Sequence, residues 1–248
     1  MKKTLAFSLS IFFALPSVAA TLPPDFEARY SIRKGILEVG QAVRTLSRHA
    51  DGALTYSSET KTTGITAFFL KENLSQFTRF EEKDGFIRPL EYRYKRVGHT
   101  NKTVVQTYQW QKAEVNSRVD DETYVYEMPP RTLDQNVYQL GLMLDLADGR
   151  RNMRYEIGEN VRLKSYDVKL DKRETIVTPL GRVDTVVVYV REGNNVTTLW
   201  AAPDLAYLPV RIEHSENGST FSAILEALSG IPRSSKTFIN NDDNNGFD

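Results

Sequence analysis

The sequence predicts a mainly all-β fold: a large curved antiparallel sheet, or an open barrel, with one packed α-helix. Three observations predict it. Apolar and polar residues alternate with period two in about a dozen short segments. Gly-, Asn-, Asp- and Pro-containing turn signals separate these segments at intervals of roughly 8–12 residues. A single stretch, beginning at Leu133, carries apolar residues at helical spacing.

Phe26, Ala28, Tyr30 and Ile32 alternate with Glu27, Arg29, Ser31 and Arg33, which gives a half-buried first strand. Gly35 and Gly40 punctuate a second, less regular strand carrying Val39, Val43 and Leu46. Asp51-Gly52 is a hairpin signal and leads into Leu54–Thr62. From Gly64, the apolar cluster of Ile65, Phe68, Phe69 and Leu70 reads as irregular chain or a short helix, followed by a strand to Phe80. Asp84-Gly85 turns the chain again, and Tyr92 and Tyr94 then alternate with Glu91, Arg93 and Lys95. Val104–Trp110 and Ala113–Val119 form the next two strands, and Tyr124-Val125-Tyr126 ends the run.

Pro129-Pro130 stops the strands. Thr132 and Gln135 have capping-box spacing, and Leu133, Val137, Leu140 and Leu144 follow at helical spacing. Asp134 falls in the first turn, where the macrodipole favours an anion, and Gly149 is placed as a C′ residue. The spacing predicts a helix over Leu133–Ala147 packed on the sheet.

Strands resume at Arg154–Asp167, and Val168–Val177 reads as a pair of short segments. After the Pro179-Leu180-Gly181 turn, Val183–Val190 is apolar on both faces, as expected of a strand covered on both sides. Gly193-Asn194-Asn195 turns it into Val196–Trp200. Pro203-Asp204 reverses the chain into a strand whose Leu208, Val210 and Ile212 form one core-facing row. Arg211 then lies on the opposite face, with Glu213 two residues on as its nearest partner. Glu216-Asn217-Gly218 turns the chain into Thr220–Leu228.

The chain is expected to be a leader (1–20), a single β-rich domain (21–230) and a disordered polar tail (231–248). Lys2 and Lys3 precede the apolar run Leu5–Leu15, which is of signal-peptide length and too short to span a bilayer. Pro16 breaks the run, and Ser17-Val18-Ala19-Ala20 supplies small residues for cleavage. No cysteine follows to carry a lipid anchor, and none occurs anywhere, so the core alone must hold the fold. An exported protein released without an anchor or a membrane span is expected. The 32 basic residues are matched by 32 acidic ones, so no excess charge exists to neutralise phosphates, and nucleic acid is not an expected partner.

Catalytic and cofactor motifs are sparse. His49, His99 and His214 lack metal-ligand spacing, there is no GxSxG elbow, and neither phosphate-loop pattern occurs. The acidic runs Glu81-Glu82 and Asp120-Asp121-Glu122 read as solvated loops, because neighbours on a strand point to opposite faces. No catalytic residue, metal or cofactor is assigned. The strand aromatics carry more information. They either fill the concavity of the sheet and meet the helix, or line a cavity for an apolar, lipid-like ligand. The candidate ligand-binding residues are Tyr92, Tyr94, Trp110, Trp200 and Arg211.

Four stretches carry a resemblance. They are residues 26–41, with Tyr30 and Gly40; residues 80–96, with Gly85, Pro89 and Tyr92; residues 173–188, with Thr178, Pro179 and Gly181; and the hairpin from Trp200 to Ile212. Together they resemble a bacterial envelope family known as domain of unknown function 3108. That family often carries an aspartate followed by serine before the helix; Asp134 is present here, but Gln135 follows it. The resemblance implies a curved antiparallel sheet similar to periplasmic lipoprotein carriers, a periplasmic location, and no enzymatic activity. The expected partners are a lipid or other apolar ligand, or an envelope protein. Two other readings stay open: an adaptor of envelope assembly acting through its surface, and a hydrolase of envelope polymers.

Overall fold

A computed structural model describes residues 20–63, 72–216 and 218–232. All but the last residue of the expected leader (1–20), the segment 64–71, Asn217 and the tail from 233 lie outside the described residues. Ile231, assigned to the tail on sequence, is buried in the main core.

The strands are β1 (Phe26–Lys34), β2 (Leu37–Arg48), β3 (Leu54–Thr62), β4 (Asn73–Lys83), β5 (Phe86–Val97), β6 (Lys102–Gln109), β7 (Glu114–Val119) and β8 (Glu122–Glu127), then the short β9 (Leu133–Asp134) and, after helix α1 (Tyr138–Ala147), β10 (Asn152–Glu159). β11 (Arg162–Thr178), β12 (Gly181–Glu192), β13 (Asn195–Ala202), β14 (Leu208–Glu216) and β15 (Ser219–Ser229) complete one 15-stranded sheet in the order β8-β7-β6-β5-β4-β3-β2-β1-β15-β14-β13-β12-β11-β10-β9. The first and last strands pair in the middle, and every pairing is antiparallel except β9 with β10. Sequence neighbours are therefore sheet neighbours all the way round, with a single break between β8 and β9. The sheet is curved and not closed.

The two edges are joined by side chains where main-chain pairing stops. The Tyr126 hydroxyl donates to the Glu159 carbonyl at 3.3 Å, and the Ser117 hydroxyl donates to the Asn160 carbonyl. Glycine is required here, because a Cβ on Gly158 would sit 2.6 Å from the Tyr108 hydroxyl oxygen and push the seam apart.

Helix α1 lies inside the curve. Leu140, Leu142, Met143, Leu144 and Leu146 are all buried, so the helix is covered over more than one stripe. It supplies the crossover that a parallel β9–β10 pair needs. Its C-terminus is the expected Schellman ending: Arg150 N–H bonds Asp145 O, Gly149 N–H bonds Leu146 O, and Gly149 has φ +78°.

The helix start and one strand differ from the sequence reading. α1 begins at Tyr138, not Leu133, because Leu133 and Asp134 are recruited as a β-bridge to Ile157 and Gly158. The Thr132–Gln135 capping box does not form. Thr132 Oγ1 instead donates to the Pro129 carbonyl at 2.7 Å, and Asp134 Oδ1 accepts from the Asn136 and Val137 N–H groups at 2.8 and 2.9 Å. Val168–Val177 is not two segments but part of the 17-residue β11, which bends at a bulge between Leu170 and Arg173. β12 is covered on both faces as expected, since Val186, Val187, Val188 and Val190 are all buried.

Candidate functional site

The helix fills the middle of the curved sheet and leaves depressions at both ends. At its C-terminal end, two grooves of about 460 and 370 Å³ share Asp84, Phe86, Ile87 and Arg131 as a common wall. The β4–β5 hairpin forms that wall. Asp84 and Gly85 both have positive φ (55° and 75°), the geometry of a tight two-residue hairpin turn, and this brings Phe86 and Ile87 to the rim. Leu133, Leu144 and Met153 form the apolar floor of the larger groove. Met128 and Trp110 line the smaller one.

Arg131 dominates the rim. It follows Pro129-Pro130 with φ +68°, a left-handed conformation uncommon for a residue other than glycine. Its guanidinium lies 3.8 Å from the centre of the Phe86 ring, a cation–π contact. It makes no hydrogen bond or ion pair among the described residues. Of the carboxylates that line the larger groove, Asp145 pairs with Arg150 at 2.9 Å and accepts from the Tyr155 hydroxyl at 2.6 Å. Asp84 reaches Arg88 only at 3.8 Å from an exposed position, a contact of little worth. Arg88 in turn sits 5.4 Å from the centre of the Trp110 indole, whose Nε1 is fixed by the Pro89 carbonyl at 2.8 Å. The two grooves therefore combine apolar floors with several guanidinium groups at their lips, of which Arg131 has no ion-pair partner among the described residues.

At the opposite end, above the first turn of α1, lies a cleft of about 600 Å³ lined mostly by amides and tyrosines. Below it sits a buried polar network. Asp134, fully buried, accepts from Thr78 Oγ1 at 3.1 Å in addition to the two backbone N–H groups, and its Oδ2 has no partner. Burial pushes its pKa up to about 7 against the opposing pull of the backbone and Thr78 hydrogen bonds.

The five sequence candidates fall in four places. Trp110 is in the groove. Tyr94 lines the far cleft. Tyr92 is buried beneath that cleft, accepting from Gln76 Nε2 at 3.0 Å and donating to Gln135 Oε1 at 3.4 Å, and burial raises its hydroxyl pKa. Trp200 and Arg211 are adjacent across β13 and β14 on the outer face, with the guanidinium 4.9 Å from the Trp200 ring centre. As expected, Glu213 pairs with Arg211. This outer pair does not contribute to either interior depression. Arg131 was not among the candidates; Pro-Pro-Arg reads as an ordinary loop until its φ and its position over Phe86 are known.

The fold has a solved counterpart. The chain is similar to a β-barrel-like protein of domain of unknown function 1849 from Brucella abortus, with a TM-score of 0.56 and 10% identity over 85% of this chain and 99% of that one. A Bacteroides fragilis protein of YmcC-like fold covers the same shares at 10% identity, with a TM-score of 0.34. No curated protein matches. No helix among the described residues is long and apolar enough to cross a membrane. Residues 25–226 match the model of the DUF3108 family, proteins of unknown function, and the chain belongs to that family.

Proposed function

We propose that this is an exported, periplasmic, non-catalytic binding protein that holds an amphiphile in the groove at the C-terminal end of α1. The acyl portion would lie on Phe86, Leu133, Leu144 and Met153, and an anionic head would meet Arg131. The observation that carries this reading is the unpaired Arg131 guanidinium fixed over Phe86 at the lip of an apolar trough. An anion there gains a charge-assisted hydrogen bond that solvent alone would weaken, and the apolar floor gains about 25 cal/mol for each Å² covered. The basic, small-residue and apolar pattern of residues 1–20 supports export.

Trp110 lines the adjoining smaller groove, across the shared wall of Phe86 and Arg131, and serves as a reporter of a ligand at that wall. In a Trp200→Phe background it is the remaining tryptophan, because the chain has two. Titration with monomeric dodecyl phosphate is expected to change its fluorescence saturably, and Arg131→Glu is expected to weaken binding about tenfold or more. Equal affinity in wild type and Arg131→Glu, or no saturable change at all, contradicts the reading.

A second reading, an envelope adaptor acting through its surface, is favoured by one feature. The β1–β2 hairpin tip presents a fully exposed Ile36 beside exposed Leu37 and Phe221. A photocrosslinker at Ile36 that captures one stoichiometric envelope protein in cells would support it; capture of none would count against it.

A further inference from the structure

We propose that the cleft at the N-terminal end of α1 is a second binding site, separate from the amphiphile groove, and that it takes a short neutral oligosaccharide. It rests on two side-chain amides, each anchored at one end by the interior and open at the other, beside a third that is held at both ends. Gln76 donates through Nε2 to the Tyr92 hydroxyl at 3.0 Å, which leaves its Oε1 to accept. Gln135 accepts from that same hydroxyl at 3.4 Å through Oε1, which leaves its Nε2 to donate. Gln139 accepts from Arg44 through Oε1 and hydrogen-bonds Tyr138 with its amide, so it fixes the wall of the cleft rather than offering a free group. All three line the same space of about 600 Å³, within the range of small-ligand sites.

The free groups are mixed donors and acceptors at fixed positions. A sugar hydroxyl is both donor and acceptor, so a polyol satisfies such a set where an acyl chain would leave it unmet at a cost of about 1–3 kcal/mol per group. Aromatic rings supply the apolar surface that the C–H face of a pyranose needs. Tyr94 reaches the cleft with no hydrogen bond from its hydroxyl among the described residues. Tyr138 and Tyr166 meet edge to face at 5.3 Å, and Tyr166 is held by its hydrogen bond to Glu159 at 2.6 Å.

Charge argues for a neutral ligand. Arg44 is engaged by Gln139 and lies 5.1 Å from the centre of the Tyr30 ring. Glu159 and Glu192 are both paired with Lys164, at 2.9 and 2.5 Å. His214 shares a hydrogen bond with Thr197 at 2.8 Å. Lys102 on the rim is a single flexible cation, not a built anion site.

The test is calorimetric titration of the exported protein with the N-acetylglucosamine trimer and with maltotriose at millimolar concentration, with thermal melts confirming that each variant is folded. Saturable binding of at least one sugar is expected. Tyr94→Phe and Gln135→Leu should each weaken it about tenfold, and Arg131→Glu should leave it unchanged. Neither sugar binding, or binding insensitive to both Tyr94→Phe and Gln135→Leu, overturns the proposal. Binding lost in Arg131→Glu would place the sugar in the other groove and overturn it equally. Because the amphiphile test reads Arg131 and this one reads Tyr94 and Gln135, either site can fail without the other.

Discussion

Between pH 4 and pH 7 the protein is expected to lose stability as pH rises, and Asp134→Asn is expected to remove that slope. Burial raises the folded-state pKa of Asp134 from 3.8 to about 7, so the folded protein keeps this proton up to about neutrality. The unfolded chain releases it near the ordinary carboxylate value. Across the interval the unfolded state binds fewer protons than the folded one, and the free energy of unfolding must therefore fall with rising pH and level off above 7. A shift of this size corresponds to roughly 4 kcal/mol in all. Asparagine keeps an acceptor for the Asn136 and Val137 N–H groups but carries no titrating proton. Urea melts at a series of pH values should show the wild-type curve falling relative to the variant by that order. A difference that is flat with pH would mean that Asp134 is ionised throughout. Asp134→Ala should be destabilising at every pH, because it strips the cap from two buried N–H groups and the partner from Thr78.

The second large effect lies in the helix. Leu140→Ala is expected to cost about 2–5 kcal/mol, the range for a buried leucine whose cavity cannot collapse. Leu140 is 0% exposed on a helix enclosed by the sheet, so few neighbours are free to move in. Denaturant unfolding should show a lower midpoint with an unchanged slope. A loss below about 1 kcal/mol would indicate a surface helix, for which substitutions away from special features are nearly neutral.

Local chemistry made most of the sheet legible. Asp84-Gly85 announced a hairpin that both φ values bear out, and the alternation from Phe26 to Ile32 marked the core row of β1. Gly149 announced the helix end for the same local reason. The start of the helix was not legible. Thr132 and Gln135 have the right spacing for a cap, but what decides the matter is non-local: Leu133 and Asp134 pair with Ile157 and Gly158, and Asp134 is buried against Thr78 from a distant strand. The sites divide the same way. Tyr94 showed itself by lying on an alternating strand, and Trp110 by following directly on one. Arg131 depends on a backbone conformation that no pattern signals. Gln135 and Gln139, four apart on polar positions, look like a solvated helix face until the sheet is seen to wrap around them.

The central claim is that α1 is enclosed by the curved sheet, which leaves depressions at both ends. Native-state hydrogen exchange tests it most directly. A helix of 10 residues is marginal by itself, so slow exchange of its amides requires the enclosure. The enclosed helix predicts that Leu142–Leu146 exchange only through global unfolding, as slowly as β12 and β13. Exchange of those amides by local opening, well ahead of the strands, would contradict it.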